Sequence, residues 1–420
     1  MTVPAAALAQ LRADGEPVLE AYRLPAGARL ELDGRLEEPV WSEAPAATGF
    51  RQREPDEGAA ATEPTEVRVL YDDETLYIGV RAYDSRPQSI VARRLARDVR
   101  LGLSFFGPQG GDDAVEIVLD TYRDRRNAYY FATNPRGVQV DGLITDESPN
   151  PDLNWDGVWD VRAARTEDGW SAEFAIPLRT LRFRRGAGPQ TWGLNVQRFL
   201  SRRNEASLWT AWSRENEGLH RVSRAGALEG LRLEDPGRDW RAKPYVLGSA
   251  GRDYAGDPGG GVDWDADLGL DAKVSFPSGL VLDLTANTDF AQVEADDEQI
   301  DLTRFNLFFP EKREFFLENA GIFEFGAPTF GGPPNLLLFF SRRIGLVRTG
   351  FATAQPVPIL GGARLTGRSG RQTLGILDVV TGADSALGAP TTNFAAARVK
   401  RDVGRRSYLG AIATHRLEEG

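Results

Sequence analysis

A period-two alternation of apolar and polar residues constrains this chain more than any other feature. Glu66-Val67-Arg68-Val69-Leu70-Tyr71 alternates, Asp72-Asp73-Glu74 makes a turn, and Leu76-Tyr77-Ile78-Gly79-Val80-Arg81-Ala82 returns, which is the pattern of a β-hairpin. The form recurs in Ala114 to Leu119, Ala128 to Thr133 and Val158 to Arg165, and in Trp170 to Ile176 after the turn at Glu167-Asp168-Gly169. Helical periodicity is nearly absent. Pro177 to Leu181 is the one segment that reads as a helical turn, with proline in a tolerated early position. Residues 20–235 are therefore expected to form a β-sandwich.

Composition changes near Asp235-Pro236-Gly237-Arg238-Asp239, where a domain boundary is placed. Beyond it, Leu268, Leu270, Ala272, Val274 and Phe276 alternate with Gly269, Asp271, Lys273 and Ser275. Leu280, Leu282, Leu284 and Ala286 alternate with Val281, Asp283, Thr285 and Asn287, and Ala395 to Lys400 and Tyr408 to Ile412 continue the pattern. Such strands fit a barrel with its apolar face in lipid and its polar face lining a lumen. A second soluble sandwich with one solvated face gives the same alternation. The fold class is thus all-β, with a jelly-roll-like sandwich leading into antiparallel strands of an incomplete outer-membrane-type barrel over 240–420.

Several function classes are excluded. The 420 residues carry 50 Lys plus Arg against 61 Asp plus Glu, a net charge of −11, so nucleic acid is not an expected partner. With no Cys and only two His, His220 and His415, the chain has no means to build a Cys/His zinc site and little from which to build a Ser/His/Asp triad. The longest apolar run, Leu336 to Phe340, is far short of the roughly 20 residues of a spanning helix. Membrane insertion would require a closed barrel. Residues 1–19 read either as the remnant of a signal peptide, with Ala7-Leu8-Ala9 as a small-x-small cleavage motif, or as a disordered N-terminus. The first reading makes the protein exported.

Separated motifs over about 200 residues resemble the family 9 carbohydrate-binding module: Leu32-Asp33-Gly34 with Glu38-Pro39-Val40-Trp41, the hairpin at 67–80, Asp112-Asp113-Ala114-Val115-Glu116, and Gly169 to Glu173 with Ala175-Ile176-Pro177. The resemblance implies a sandwich whose opening strand carries a buried tryptophan, here Trp41. The stretch from Thr288 to Phe323, which contains FFPEKREFFLE, is similar to an uncharacterised bacterial envelope family in which this module precedes a barrel-like domain. Members continue further, whereas this chain stops at Gly420 without a terminal aromatic strand, so the barrel as given is not expected to close. The resemblance implies an outer-membrane location, with the sandwich periplasmic or surface-exposed, glycan or polysaccharide as partner, and lipid around the barrel.

Sugar recognition needs flat aromatic faces together with carboxylates, amides or arginines for the hydroxyls. Asn154-Trp155-Asp156-Gly157-Val158-Trp159 supplies both, and the even spacing of Trp155 and Trp159 puts them on one face of an extended segment. The alternative is that both pack in the core, as is expected of Trp41, Trp170 and Trp192. Arg125, Tyr129 and Asn134 form a second polar and aromatic cluster at a hairpin rim, with a solvated turn as the competing reading. No cofactor is required. Calcium, which the related modules carry, has candidate ligands in Asp112, Asp113 and Asp120 and in Glu294 to Glu298, although solvated acidic turns explain both. No catalytic pair stands out. Glu311 and Glu314 in the Glu-Lys-Arg-Glu run read as salt-bridge partners fixing a turn rather than as glycosidase carboxylates. The primary expectation is glycan binding, with a glycoside hydrolase or accessory subunit, and a structural or transport barrel with a plug-like sandwich, as rivals.

Overall fold

The computed structural model describes residues 10–419, apart from 13–14, 100, 102, 105–106, 109–110, 154, 184–187, 217, 234–239, 252–262, 277–279, 289–310, 312, 318–319, 324–337, 349–353 and 404–406. Residues 1–9, Asn154, Glu294 to Glu298 and much of the Thr288 to Phe323 signature therefore lie outside the described residues. The chain divides into two compact units between Asp235 and Pro236.

The first unit is a sandwich of a nine-stranded and a five-stranded sheet. In the smaller sheet Thr65–Tyr71 pairs antiparallel with Thr75–Tyr83, which pairs in turn with Gly169–Pro177. Asp72 Oδ1 accepts the N–H groups of Glu74 and Thr75 and so closes the hairpin turn. Alternate residues of these strands, among them Val67, Val69, Ile78, Val80, Phe174 and Ile176, meet Val115, Ile117, Leu119, Phe131, Leu194 and Val196 of the larger sheet in one core.

Ala114–Asp120 is buried at every position, not alternately. A second cluster, including Ala114, Val118, Tyr130, Val140, Phe199 and Leu219, covers the far side of the larger sheet, so both faces of this central strand are out of water. Arg198 fastens the two sheets. It lies in Gln190–Leu200 of the larger sheet and donates to the carbonyls of Pro64 (2.9 Å) and Tyr83 (2.6 Å) and to Thr65 Oγ1 (3.2 Å) on the smaller.

Two local expectations are corrected. Trp41 is buried, as are Trp170 and Trp192, but it sits on the short helix Pro39–Glu43, begun by a proline, and not on a strand. Its indole N–H donates to Glu173 Oε1 at 3.1 Å, and Glu173 Oε2 accepts the N–H groups of Asp33 and Gly34, which pins the Leu32-Asp33-Gly34 turn to the outside of the smaller sheet. Pro177 to Leu181 is not helical. Pro177 ends its strand, and the Leu178 N–H is drawn to Glu74 O of the neighbouring hairpin at 2.7 Å, which leaves only turns.

The second unit is a seven-stranded antiparallel sheet in which each long strand pairs with the next. Its strands are Trp240–Gly251, Asp263–Ser275, Leu280–Thr288, Ile359–Ser369, Gln372–Thr381, Thr392–Val403 and Ser407–Glu418. Among the described residues it stays open, with Trp240–Gly251 and Ser407–Glu418 as edges. Register separates two faces. One carries Lys273, Asp283, Arg364, Leu377 and Ala396 in a cross-strand row, with Arg364 ion-paired to Asp283 at 2.8 Å. The other carries Val246, Leu268, Leu270, Leu284, Ile376 and Val399, all exposed.

Candidate functional site

At one edge of the larger sheet, Val140–Ile144 pairs along one side with Ala128–Thr133 and on the other meets Asp152 through a single bridge at Leu143. The loop before Leu101 runs beside this edge: the Asp98 N–H donates to Gln139 O (3.1 Å), and Asp98 Oδ1 accepts the Asp141 N–H (3.3 Å). Asp141 stands opposite Phe131 in the ladder, so its side chain shares the core-facing side of the sheet at the rim of the sandwich.

Arg97 organises this rim. Its guanidinium lies 2.9 Å from Asp141, 3.0 Å from Asp156 and 3.2 Å from Asp98. Asp141 also accepts the Gly157 N–H at 2.6 Å, which holds the Trp155 to Trp159 loop against the sheet edge. One carboxylate oxygen from each of Asp98, Asp141 and Asp156 falls within a 4.8 Å span. Calcium favours six to eight oxygens at about 2.3–2.6 Å. Here the charge among the carboxylates is supplied by Arg97, so the arrangement suits a guanidinium more than a divalent ion.

Burial gives these acids unequal strengths. Asp98 is pushed up to about 6, first by burial and then by the charge of Asp141. Asp141 is also raised by burial, against the opposing pull of the Gly157 N–H and of Arg97. Burial works against the Arg97 charge, yet the carboxylates outweigh it and its pKa is raised. Asp156 is exposed to solvent with a 70 % accessible side chain, and Leu95 and Val158 nearby in sequence are 69 % and 65 % exposed. The rim thus offers water a carboxylate, an arginine and apolar surface together.

The tryptophans behave differently from a solvent-facing platform. Trp155 and Trp159 do share a face, but that face is the core: both are buried, Trp159 stacking on Phe174 at 5.8 Å and meeting Phe131 edge-on at 5.1 Å. Trp155 lies 5.2 Å from Tyr129. Gly157 permits the fold-over, since a Cβ there would come within 2.7 Å of the Trp155 ring. Burying 150–250 Å² of aromatic surface is worth about 4–6 kcal/mol, which outweighs leaving the rings in water.

Of the other candidates, Tyr129 is half-buried beside Trp155, its hydroxyl accepting the Arg182 N–H at 2.9 Å. Arg125 and Asn134 flank opposite ends of the Ala128–Thr133 strand and do not converge. Asn134 is fully buried, donating to Arg94 O and Asp112 Oδ2 and accepting from Arg136 N and Val138 N. Asp112 and Asp113 precede the Ala114–Asp120 strand while Asp120 ends it, a separation of about 23 Å or more at roughly 3.3 Å per residue. Each acts as a backbone clamp: Asp112 on Arg93 N and Arg94 N, Asp113 on Val91 N, Asp120 on Asp124 N and Arg125 N. They do not form one metal site. Sequence reasoning missed Arg97, Asp98 and Asp141, which no local motif links to residues 154–159.

Residues 32–220 match the family described as carbohydrate family 9 binding domain-like, and residues 242–358 match a domain of unknown function, DUF5916. No curated protein matches the chain. Among solved structures, a family 9 carbohydrate-binding module from Caldicellulosiruptor kristjanssonii in complex with cellotriose is similar at 16 % identity. The match covers 52 % of this chain and 95 % of that one, with a TM-score of 0.33. The same module in complex with glucose matches at 16 % identity over 52 % and 98 % of the chains, with a TM-score of 0.33. A putative carbohydrate-binding protein from Bacteroides uniformis matches at 14 % identity over 50 % and 98 %, with a TM-score of 0.38.

Proposed function

We propose that this chain, a family 9-like carbohydrate-binding domain followed by a domain of unknown function, binds glycan through the Arg97 rim of its first unit. The observation that carries the reading is the meeting of Arg97 with Asp141 and Asp156 beside exposed Val158, within the region that matches the carbohydrate-binding family. Guanidinium and carboxylate groups hydrogen-bond hydroxyls, and exposed aliphatic surface takes the apolar face of a pyranose ring. Affinity electrophoresis of the full chain through soluble polysaccharides tests this, with Arg97→Ala and Asp156→Ala as variants. Retention reduced at least tenfold by either change supports the reading; no retention on any polysaccharide overturns it. A hydrolase remains the second reading because Asp98, held up to about 6, stands beside the exposed carboxylate of Asp156. Release of reducing sugar by the same preparations, abolished in Asp98→Asn, would establish it.

We further propose that the protein is exported and that the second unit lies in the outer membrane, its exposed apolar face toward lipid. Trp240 and Trp264 support this. Both lie on that face, 71 % and 81 % exposed, and pair with Val274 and Ala250, so they mark opposite ends of one hairpin. Ten register steps separate them, about 33 Å along the strand and roughly 25 Å after a tilt near 40°, the height of the apolar band of a membrane barrel with its aromatic girdles. Fractionation of expressing cells, with heat-modifiable mobility as the mark of an inserted barrel, tests the placement. Recovery only in the soluble periplasm would overturn it.

A further inference from the structure

Two loops meet at the Arg97 rim, and two neighbouring residues of the sheet edge tie them together. Asp141 takes the Arg97 guanidinium from the loop before Leu101 at 2.9 Å and the Gly157 N–H from the 155–159 loop at 2.6 Å. Gln139 repeats the tie: its carbonyl accepts the Asp98 N–H at 3.1 Å, and its Nε2 donates to Trp159 O at 2.6 Å. The Thr180 hydroxyl adds a bond to Val158 O at 2.6 Å. The backbone of residues 157, 158 and 159 is thus held at each step, by Asp141, Thr180 and Gln139 in turn. On the other loop the Arg94 N–H donates to Asp112, and the Arg94 carbonyl accepts from Asn134.

Each loop carries one apolar side chain out into water, Leu95 on the first and Val158 on the second. Among the described residues of the first unit these are the only large apolar side chains that stand exposed, and no aromatic ring is exposed with them. The fastened backbone makes that exposure a fixed feature of the rim. Its chemistry is informative because the accessible surface is aliphatic. An aromatic platform attracts the polarised C–H groups of an ordinary pyranose through the negative face of its ring. Leu and Val have no such face and gain only from apolar ligand surface taken out of water. On a sugar, the most apolar group is a methyl.

We propose that the rim selects glycans bearing a 6-deoxyhexose, whose C6 methyl packs on Leu95 and Val158 while Arg97 and Asp156 bond the ring hydroxyls. The inference rests on the glycan reading of this rim and adds to it the class of sugar. A hydroxyl at C6 would lose water against the same two side chains without gaining a partner from them. Burying one methyl group is worth roughly fourfold in affinity.

Ligand-observed NMR titration of the full chain tests this with two pairs of methyl α-glycosides, L-rhamnose against L-mannose and L-fucose against L-galactose. The members of each pair differ only at C6. The deoxy member of at least one pair is expected to bind about fourfold more tightly or better, and the ratio to fall below about twofold in Leu95→Asn and in Val158→Thr. Both changes keep the side-chain size at an exposed position, so coincident thermal melts are expected and mark the variants as folded. Equal binding within both pairs, or no binding of either deoxy glycoside, while polysaccharide retention still depends on Arg97, overturns the sugar class and leaves the glycan reading intact. A deoxy preference unchanged in both variants overturns the role of Leu95 and Val158. Absence of binding to every glycoside and every polysaccharide overturns the glycan reading and this inference with it.

Discussion

The guanidinium of Arg97 lies 2.9 Å from the carboxylate of Asp141, 44 residues along the chain, and holds Asp156 at 3.0 Å. Arg97→Ala leaves fully buried Asp141 facing Asp98 without a counter-charge. Because the Arg97 side chain is 42 % exposed, solvent screens part of the loss, and destabilisation of about 1–2 kcal/mol is expected. Urea unfolding measures it. Arg97→Lys, with one point charge in place of a planar fork, recovers the stability only in part.

Asp98 fixes a pH dependence with a definite sign. Its folded pKa of about 6 stands above the ordinary 3.8, so the folded state binds the proton more tightly than the unfolded chain. Its contribution to stability is full below about 3.8 and is lost as pH rises through about 6. Asp98→Asn removes this loss. Thermal melts from pH 4 to 7.5 should show the variant gaining on wild type across that window, and parallel curves would contradict the assignment.

Trp155 and Trp159 separate packing from stacking. Trp159→Ala removes a ring held between Phe131 and Phe174 and is expected to cost about 3–5 kcal/mol. Trp155→Phe keeps an aromatic ring in the core and should retain glycan affinity within about twofold while lowering stability slightly. Calorimetric titration with the retained polysaccharide decides. A tenfold loss of affinity at unchanged stability would mean that the Trp155 indole touches sugar directly.

Arg198→Met tests the fastening of the two sheets. The change removes the guanidinium from the carbonyls of Pro64, which keeps the Tyr83 N–H, and Tyr83, and leaves the acids around it, Asp113 and Asp84 among them, with one positive charge fewer. A loss of about 3–5 kcal/mol is expected, read as a lowered denaturant midpoint for the first unit.

On the second unit, Leu268→Arg puts a charge midway between the Trp240 and Trp264 ends of the exposed apolar face. If that face meets hydrocarbon, the cost is about 2–4 kcal/mol and insertion falls sharply, as membrane fractionation would show.

The hairpins at 65–83 and 160–177 were legible in the sequence because each carries its turn and its alternation locally. The helix at Pro39–Glu43 was not, since Trp41 is held there by Glu173, 132 residues away. The equal burial of Ala114–Asp120 was hidden for a similar reason: its second covering layer comes from distant loops. At the site, even spacing was no guide, because residues 155–159 lie outside any strand and fold over at Gly157, and both Trp155 and Trp159 enter the core. Arg97 and Asp98 were invisible, because their partners are set by an edge strand beginning more than 40 residues later.

Strand order in the second unit follows chain order throughout. Each hairpin there can close on a neighbour already in place, at little cost in loop entropy, so this sheet is suited to growing from either end. The one long closure joins Leu280–Thr288 to Ile359–Ser369. Gln190–Leu200 of the first unit, by contrast, pairs with Ala114–Asp120 some 75 residues earlier, and Gly226–Leu231 with Pro17–Glu20 some 210 earlier. One polypeptide thus joins a slow folder to a fast one, and the slow half comes first.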